Sequence, residues 1–136
     1  MPVIVEPRYD IAALETDLLR VYADFPGRSA ADCIGAIGAS LAGGGVFYLG
    51  EFNGKAVAGA VVSGPNDARR IQLVTVRPAT RGRGVALRLI DEIARLEKLT
   101  GAQVLVIAAS GNTADVLSRL GFAADPRQDG QLRRPL

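Results

Sequence analysis

The chain has 136 residues and a mass of 14.2 kDa, the length of one domain over residues 1–136, which buries roughly two thirds of the surface its unfolded form exposes. With no histidine and one cysteine, Cys33, it has no intramolecular disulfide, no Cys/His zinc site and no Ser-His or Cys-His nucleophile pair. A net charge of +2, with 49% hydrophobic and 22% charged residues, fits an ordinary globular protein without a bilayer-spanning run, and the start MPVIVEPRYD lacks the pattern of a signal peptide, so a cytoplasmic protein with no membrane partner is expected.

In chain order, Val3 to Tyr9 reads as a first strand, and Ile11 to Asp24 as a helix with Ile11, Leu14, Leu18, Val21 and Tyr22 at helical spacing, stopped by Pro26-Gly27. A second helix is predicted over Ala30 to Leu41, entered from Ser29 and ended by the glycines at 43 to 45. VFYLGEF and KAVAGAVVS follow, joined by Asn53-Gly54, the pair best suited to a two-residue hairpin turn. A turn at Gly64-Pro65-Asn66-Asp67 leads to the strand IQLVTV, Ile71 to Val76. Helical spacing returns from Val85 to Leu99 and stops at Gly101. QVLVIAAS is nearly all apolar and predicts a strand buried on both faces. A short helix over Thr113 to Leu120 ends at Gly121-Phe122, and QDGQLRR forms a last short hairpin arm. The fold class is therefore α+β, a mixed central sheet with helices packed against it.

Between the strand ending at Val76 and the helix starting at Val85 lies RPATRGRG, and the stretch from Val76 to Ile93 carries Arg77, Arg81, Arg83 and Arg88. Gly82 and Gly84 let the backbone turn its N-H groups to one point at a helix N-terminus, the geometry of an anion site. Arg81 and Arg83 would add charge-assisted contacts. Arginines beside a helix N-terminus oppose its dipole, so a bound anion accounts for their presence. The third glycine of a dinucleotide-binding turn is replaced by Leu87, and no Gly-Lys-Ser/Thr follows. Nucleic acid is not the expected partner, because the seven aromatics sit mostly in apolar runs rather than as exposed stacking platforms.

At these residues the chain resembles the GNAT superfamily of acetyl-CoA-dependent N-acetyltransferases. LVTVRPATRGRGVALRLI matches the family's strand, loop and helix, with its Arg/Gln-x-x-Gly-x-Gly/Ala signature at Arg81 to Ala86, and VLSRLGF resembles the family's helix-to-Gly-Phe ending. The resemblance implies the GNAT fold, a three-layer arrangement with helices on both faces of the sheet, and binding of acetyl-CoA or coenzyme A. It implies that backbone groups of Val74, Thr75 and Val76 take the pantetheine arm like an added strand. Backbone N-H groups from Arg81 through Gly82, Arg83, Gly84, Val85 and Ala86 would hold the pyrophosphate. Ser110 and Asn112 stand where many relatives contact the coenzyme, and helix capping explains them equally well.

Acetyl transfer needs a neutral amine, and a lysine with pKa ~10.4 lies about 3.4 units, or about 4.6 kcal/mol, from neutrality at pH 7. Many family members supply a glutamate on the strand before the motif and a tyrosine acid in the last helix. This chain has no carboxylate between Asp67 and Asp91, and Leu117 occupies the tyrosine's place. No catalytic residue is therefore assigned. Cys33 reads as a packed small side chain, and Tyr22 and Tyr48 as core or pocket walls. One expectation is transfer to a small-molecule or peptide amine of lower pKa, where deprotonation costs only about 1.4 kcal/mol.

The other expectation follows from a closer resemblance. DLLRVYADFP, GEFNGKAVAGAVV and TRGRGV are similar to the PanZ (PanM) group of small GNAT-fold proteins, which also lack an evident catalytic pair. That resemblance implies a non-catalytic acetyl-CoA sensor that binds and matures or regulates aspartate decarboxylase. Asn53 matches a partner-contacting asparagine of that group, and turn chemistry before Gly54 accounts for it as well. Glu51 stands where the group can carry arginine.

Overall fold

The computed structural model describes residues 2–108 and 113–136. Its elements are β1 (Ile4–Arg8), a 3-10 turn (Ala12–Leu14), α1 (Glu15–Val21), α2 (Ala30–Ala42), β2 (Val46–Phe52), β3 (Lys55–Ser63), β4 (Arg69–Val76), a second 3-10 turn (Pro78–Thr80), α3 (Val85–Leu99), β5 (Val104–Ala108), α4 (Thr113–Ser118), β6 (Ala123–Ala124) and β7 (Gln131–Pro135). The seven strands form one mixed sheet in the order β1-β2-β3-β4-β5-β7-β6. All neighbours are antiparallel except β4 and β5. A parallel pair needs a crossover connection, and α3 supplies it.

Each face of the sheet has its own core. Leu18 and Val21 of α1, Tyr22 just after it, and Cys33 and Ile37 of α2 pack with Phe47, Leu49 and Val61 on one face. On the other, Val85, Leu89, Ile90 and Ile93 of α3 pack with Tyr48, Ala60, Val62, Ile71 and Leu105. Period-two alternation along β2 and β3 divides their side chains between the two cores, which is why both strands are apolar almost throughout.

The predicted hairpin turn is present: Asn53 and Gly54 both adopt positive φ, 52° and 75°, as a two-residue turn between twisted strands requires. Ser29 caps α2, its hydroxyl accepting from the Asp32 N-H at 3.1 Å. The first predicted helix is shorter than its periodicity suggests. It opens as the 3-10 turn and closes at Val21, leaving Tyr22 to Pro26 as an irregular segment over the sheet. The tail forms the predicted hairpin arm, β7 pairing antiparallel with β6. β7 lies between β5 and β6 and pairs with both, because β5, with Leu105, Val106 and Ile107 buried, needs a hydrogen-bonding neighbour on each side.

Gly59 in β3 is fixed by packing across the first face. A Cβ there would stand 2.5 Å from Phe47 Cζ and 3.1 Å from the Tyr22 hydroxyl oxygen. Gly59→Ala is expected to lower stability by about 2 kcal/mol, the usual scale of an overpacked core, measured as a shift in the urea midpoint at constant slope. An unchanged midpoint would show that the Phe47 ring moves aside freely.

Candidate functional site

The site begins with an irregularity in β4. β3 and β4 pair in one register from Ser63–Arg70 to Val61–Gln72 and in another at Gly59–Thr75 and Ala58–Val76, so that Leu73 and Val74 stand opposite Ala60. This is a β-bulge, and Leu73 takes φ 55°, a left-handed conformation unusual for a branched side chain. Tyr22 holds it in place. Its ring is buried and its hydroxyl donates to the Leu73 carbonyl at 2.8 Å. Burial, with the nearby Cys33, raises the Tyr22 phenol far above its ordinary value. The group is a structural donor in the core, consistent with its reading as a core or pocket-wall residue rather than an acid. Cys33 is buried as well, and burial raises its thiol, against a nucleophilic role.

Past the bulge β4 leaves β5. Among the described residues Arg69, Arg70 and Ile71 pair with it, opposite Leu105, Val106 and Ile107. A cleft of about 880 Å³ opens along the divergence and reaches both faces of the sheet. Phe25, Arg28, Ala36 and Ser40 line it on the α1/α2 side, and Ala86, Leu87, Ile90, Val116 and Leu117 on the α3/α4 side. Leu117 is buried.

A second cleft of about 360 Å³ adjoins the first, sharing Val74, Ala86 and Leu87 with it. Of the nine predicted cofactor residues, Val74, Thr75, Val76, Arg81, Gly82, Gly84, Val85 and Ala86 all line it. Arg83 is exposed and stands outside the lining. Ser110 and Asn112 lie outside the described residues.

The Arg77 N-H donates to the Val57 carbonyl at 2.7 Å. Alternation along an antiparallel pair then turns the Thr75 backbone toward β3 and those of Val74 and Val76 toward the opening. The Val76 carbonyl is already engaged, accepting from Arg81 Nε at 2.9 Å. The rest of that guanidinium forks onto Asp24, just past α1, with Nη1 to Oδ2 at 2.7 Å and Nη2 on Oδ1. That bond holds the Asp24 carboxyl below its ordinary value. Arg81 was expected to contact an anion through its side chain; in this structure it instead ties the loop to β4 and to the segment after α1.

Gly82 and Gly84 take φ 79° and 74°, and Gly84 is the N-cap of α3 without a side-chain cap. The first intrahelical bond near that end is Arg88 N-H to the Gly84 carbonyl at 3.2 Å. The N-H groups of Val85, Ala86 and Leu87 therefore have no backbone acceptor among the described residues. A Cβ at Gly82 or Gly84 would meet nothing within 4 Å, so packing does not demand glycine there. The backbone conformation does, and the space it leaves suits close approach of a diphosphate.

The sequence reading missed one buried polar cluster. Glu97 of α3 is 2% exposed, accepts from the Tyr48 hydroxyl at 2.5 Å and from Arg69 Nε at 2.7 Å, while Arg69 Nη1 donates to the Gly64 carbonyl at 2.6 Å. Burial and the Glu97 bond raise the Tyr48 phenol far above its usual value. The signal was present, since Glu97 lies four residues after Ile93 and seven after Ile90 on the apolar face. None of the three lines either cleft. Glu51 and Asn53 lie at the β2–β3 turn, where Arg8 Nη2 approaches Glu51 Oε1 at 3.9 Å.

Among the described residues no helix is long and apolar enough to cross a membrane, and no three His, Cys, Asp or Glu cluster to hold a metal ion.

Comparison with known proteins joins these observations. Residues 12–125 match the family described as "Acetyltransferase (GNAT) domain, PanZ". No protein of curated function matches the sequence. Among solved structures, a GNAT family acetyltransferase from Elizabethkingia anophelis with acetyl-CoA bound superposes with a TM-score of 0.72 at 18% identity, covering 98% of each chain. A putative N-acetyltransferase from Lactobacillus plantarum gives 0.75 at 17%, covering 100% of this chain and 99% of its own. A Bacillus subtilis acetyltransferase in complex with CoA gives 0.71 at 16%, covering 99% of each. These likenesses establish the fold, a GNAT fold with a mixed seven-stranded sheet and four helices.

Proposed function

The chain belongs to the PanZ family of GNAT acetyltransferase domains, and from that premise we propose that it binds acetyl-CoA and acts in the liganded state on a protein partner, aspartate decarboxylase. The observation that carries this reading is the chemistry of the large cleft. Its described lining contains no carboxylate and no tyrosine, so no side chain there takes a proton from an ammonium or returns one to a thiolate. Tyr22, the nearest phenol in sequence to the cleft residue Phe25, spends its proton on Leu73.

Bound acetyl-CoA would supply an activated thioester. The residues present fit it. Open-edge backbone groups of Val74 and the Val76 N-H suit a pantetheine arm lying along β4, with Thr75 holding that strand to β3. The N-H groups of Gly82, Gly84, Val85 and Ala86 suit the diphosphate, reinforced by the α3 dipole. Arg81 keeps the loop in place, and Arg83 is free to add charge from outside. The same reading makes the protein cytoplasmic.

A second reading, N-acetyltransfer to a small-molecule or peptide amine of low pKa, is favoured by the continuity of the cleft through the sheet. An acceptor could enter from the α1/α2 side and meet a thioester bound from the α3/α4 side, leaving positioning as the main source of rate.

One set of measurements separates the two. Acetyl-CoA and CoA are titrated by calorimetry, aspartate decarboxylase is offered to the immobilised protein with and without acetyl-CoA, and thiol release is followed over a panel of amines. Micromolar binding with coenzyme-dependent capture and no turnover is the expected result. Turnover with a low-pKa amine and no capture would move the assignment to the enzyme. Absence of any coenzyme binding would remove both.

A further inference from the structure

The α1/α2 mouth of the large cleft has chemistry of its own. Of the side chains that line the cleft among the described residues, Arg28 alone is charged; the other polar ones are Ser40 and Gln72. Arg28 lies between the end of α1 and the start of α2, and no ion pair involves it among the described residues. Arg8, Arg69, Arg81, Arg95 and Arg134 each have a carboxylate; what sets Arg28 apart from the other arginines is its place in the lining of the large cleft. The charge of Arg28 is felt inside the domain, where it pulls the Cys33 thiol down against the larger effect of burial. Behind Arg28 the walls are apolar, formed on this side by Phe25, Ala36 and Val61.

A cleft with one cation at its mouth and no described anion selects against a ligand whose only charge is positive, because an ammonium there would lose water and gain no counter-charge. It favours a ligand with an anionic head and an apolar body, with a planar carboxylate matching the guanidinium fork.

We propose that the α1/α2 side of this cleft is a second ligand site, taking a small carboxylate with an apolar body and holding its carboxylate on Arg28. The proposal rests on the reading that acetyl-CoA occupies the other side. It adds a second small-molecule input to a protein read as a sensor, and it names the acceptor class, amino acids with apolar side chains, if transfer occurs.

The test starts from the acetyl-CoA complex of the full chain. Acetyl-CoA is titrated first, so that a failure of the coenzyme reading appears before any second ligand is added. The complex is then titrated with leucine, 4-methylpentanoate, leucinamide and isoamylamine. The two carboxylates are expected to bind, with the amide and the amine weaker by about tenfold or more, the loss that follows removal of a charge-assisted bond. Arg28→Gln should reduce carboxylate binding by a similar factor, and Arg28→Lys should restore part of it. Thiol release with leucine supports the site as an acceptor site, and binding without release supports it as a co-ligand site. Equal binding of acid and amide, no carboxylate binding at millimolar concentration, or an Arg28→Gln variant that binds as the parent does, would each overturn the proposal.

Discussion

Gly84→Val is expected to weaken acetyl-CoA binding about ten- to a hundredfold while leaving a folded protein. The residue has φ 74°, where a β-branched side chain is a genuine outlier and a left-handed L-residue costs about 1–2 kcal/mol. The strain can be relieved only by turning the peptide on either side of residue 84. That turn moves the N-H groups of Val85 and Ala86 away from their common point. A Cβ at this position meets nothing within 4 Å, so the fold itself is not crowded. Whatever strain remains appears as a fall in Tm of a few degrees. Calorimetric titration of both proteins provides the comparison. Equal affinities would mean that the α3 N-terminus does not receive the diphosphate. Gly82→Ala, at φ 79°, should lie between the two.

The largest loss of stability is expected at a residue that touches no cleft. Glu97→Ala removes the shared acceptor of the Tyr48 hydroxyl and the Arg69 guanidinium. The side chain of Arg69 is 14% exposed and that of Glu97 3%, so water reaches Arg69 only in part. Removing one partner of a buried pair costs about 3–5 kcal/mol, and the partial exposure of Arg69 puts this case near the lower end, about 3 kcal/mol. Against a total of roughly 5–15 kcal/mol, that is a large share, and for a chain of this length it lowers Tm by about 10 °C. Glu97→Gln, which keeps an acceptor for Tyr48, should lose less. Chemical denaturation of the three proteins ranks them. An alanine variant as stable as the parent would show that apolar packing replaces the cluster without loss, an outcome known for buried ion pairs replaced as a whole.

Local patterns were the legible part of this sequence. α3 has the bounds predicted, Val85–Leu99, because a glycine precedes it, Gly101 follows it and its apolar period is unbroken. The β2–β3 hairpin was readable from Asn53-Gly54 because the turn needs two positive φ angles and few residue pairs adopt them readily. Eight of the nine predicted cofactor residues share one cleft, because they are nearly contiguous on a strand, a loop and a helix start.

What escaped the sequence was long-range. Leu73 adopts its left-handed conformation through a hydroxyl 51 residues away, and nothing in IQLVTV marks it. Arg81 finds Asp24 across 57 residues, so a side chain that read as an anion contact acts as a tether. β7 takes its place between β5 and β6 through a strand order that periodicity alone does not encode. Glu97 was legible in principle: its spacing placed it on the buried face, and its charge argued for solvent.

The sheet is stitched unevenly. Among the described residues seven registered pairs join β2 to β3 and five join β5 to β7, yet three join β4 to β5. Backbone pairing thus divides the molecule into a block of β1 to β4 and a block of β5, β7 and β6 that meet along a short seam. Such a seam is where a domain opens sub-globally, at a free energy below that of complete unfolding. A ligand lying in the divergence would bridge the blocks and add to the seam the contacts that the backbone withholds. The coenzyme would then serve as mechanical reinforcement, making the two blocks respond to a partner as one body.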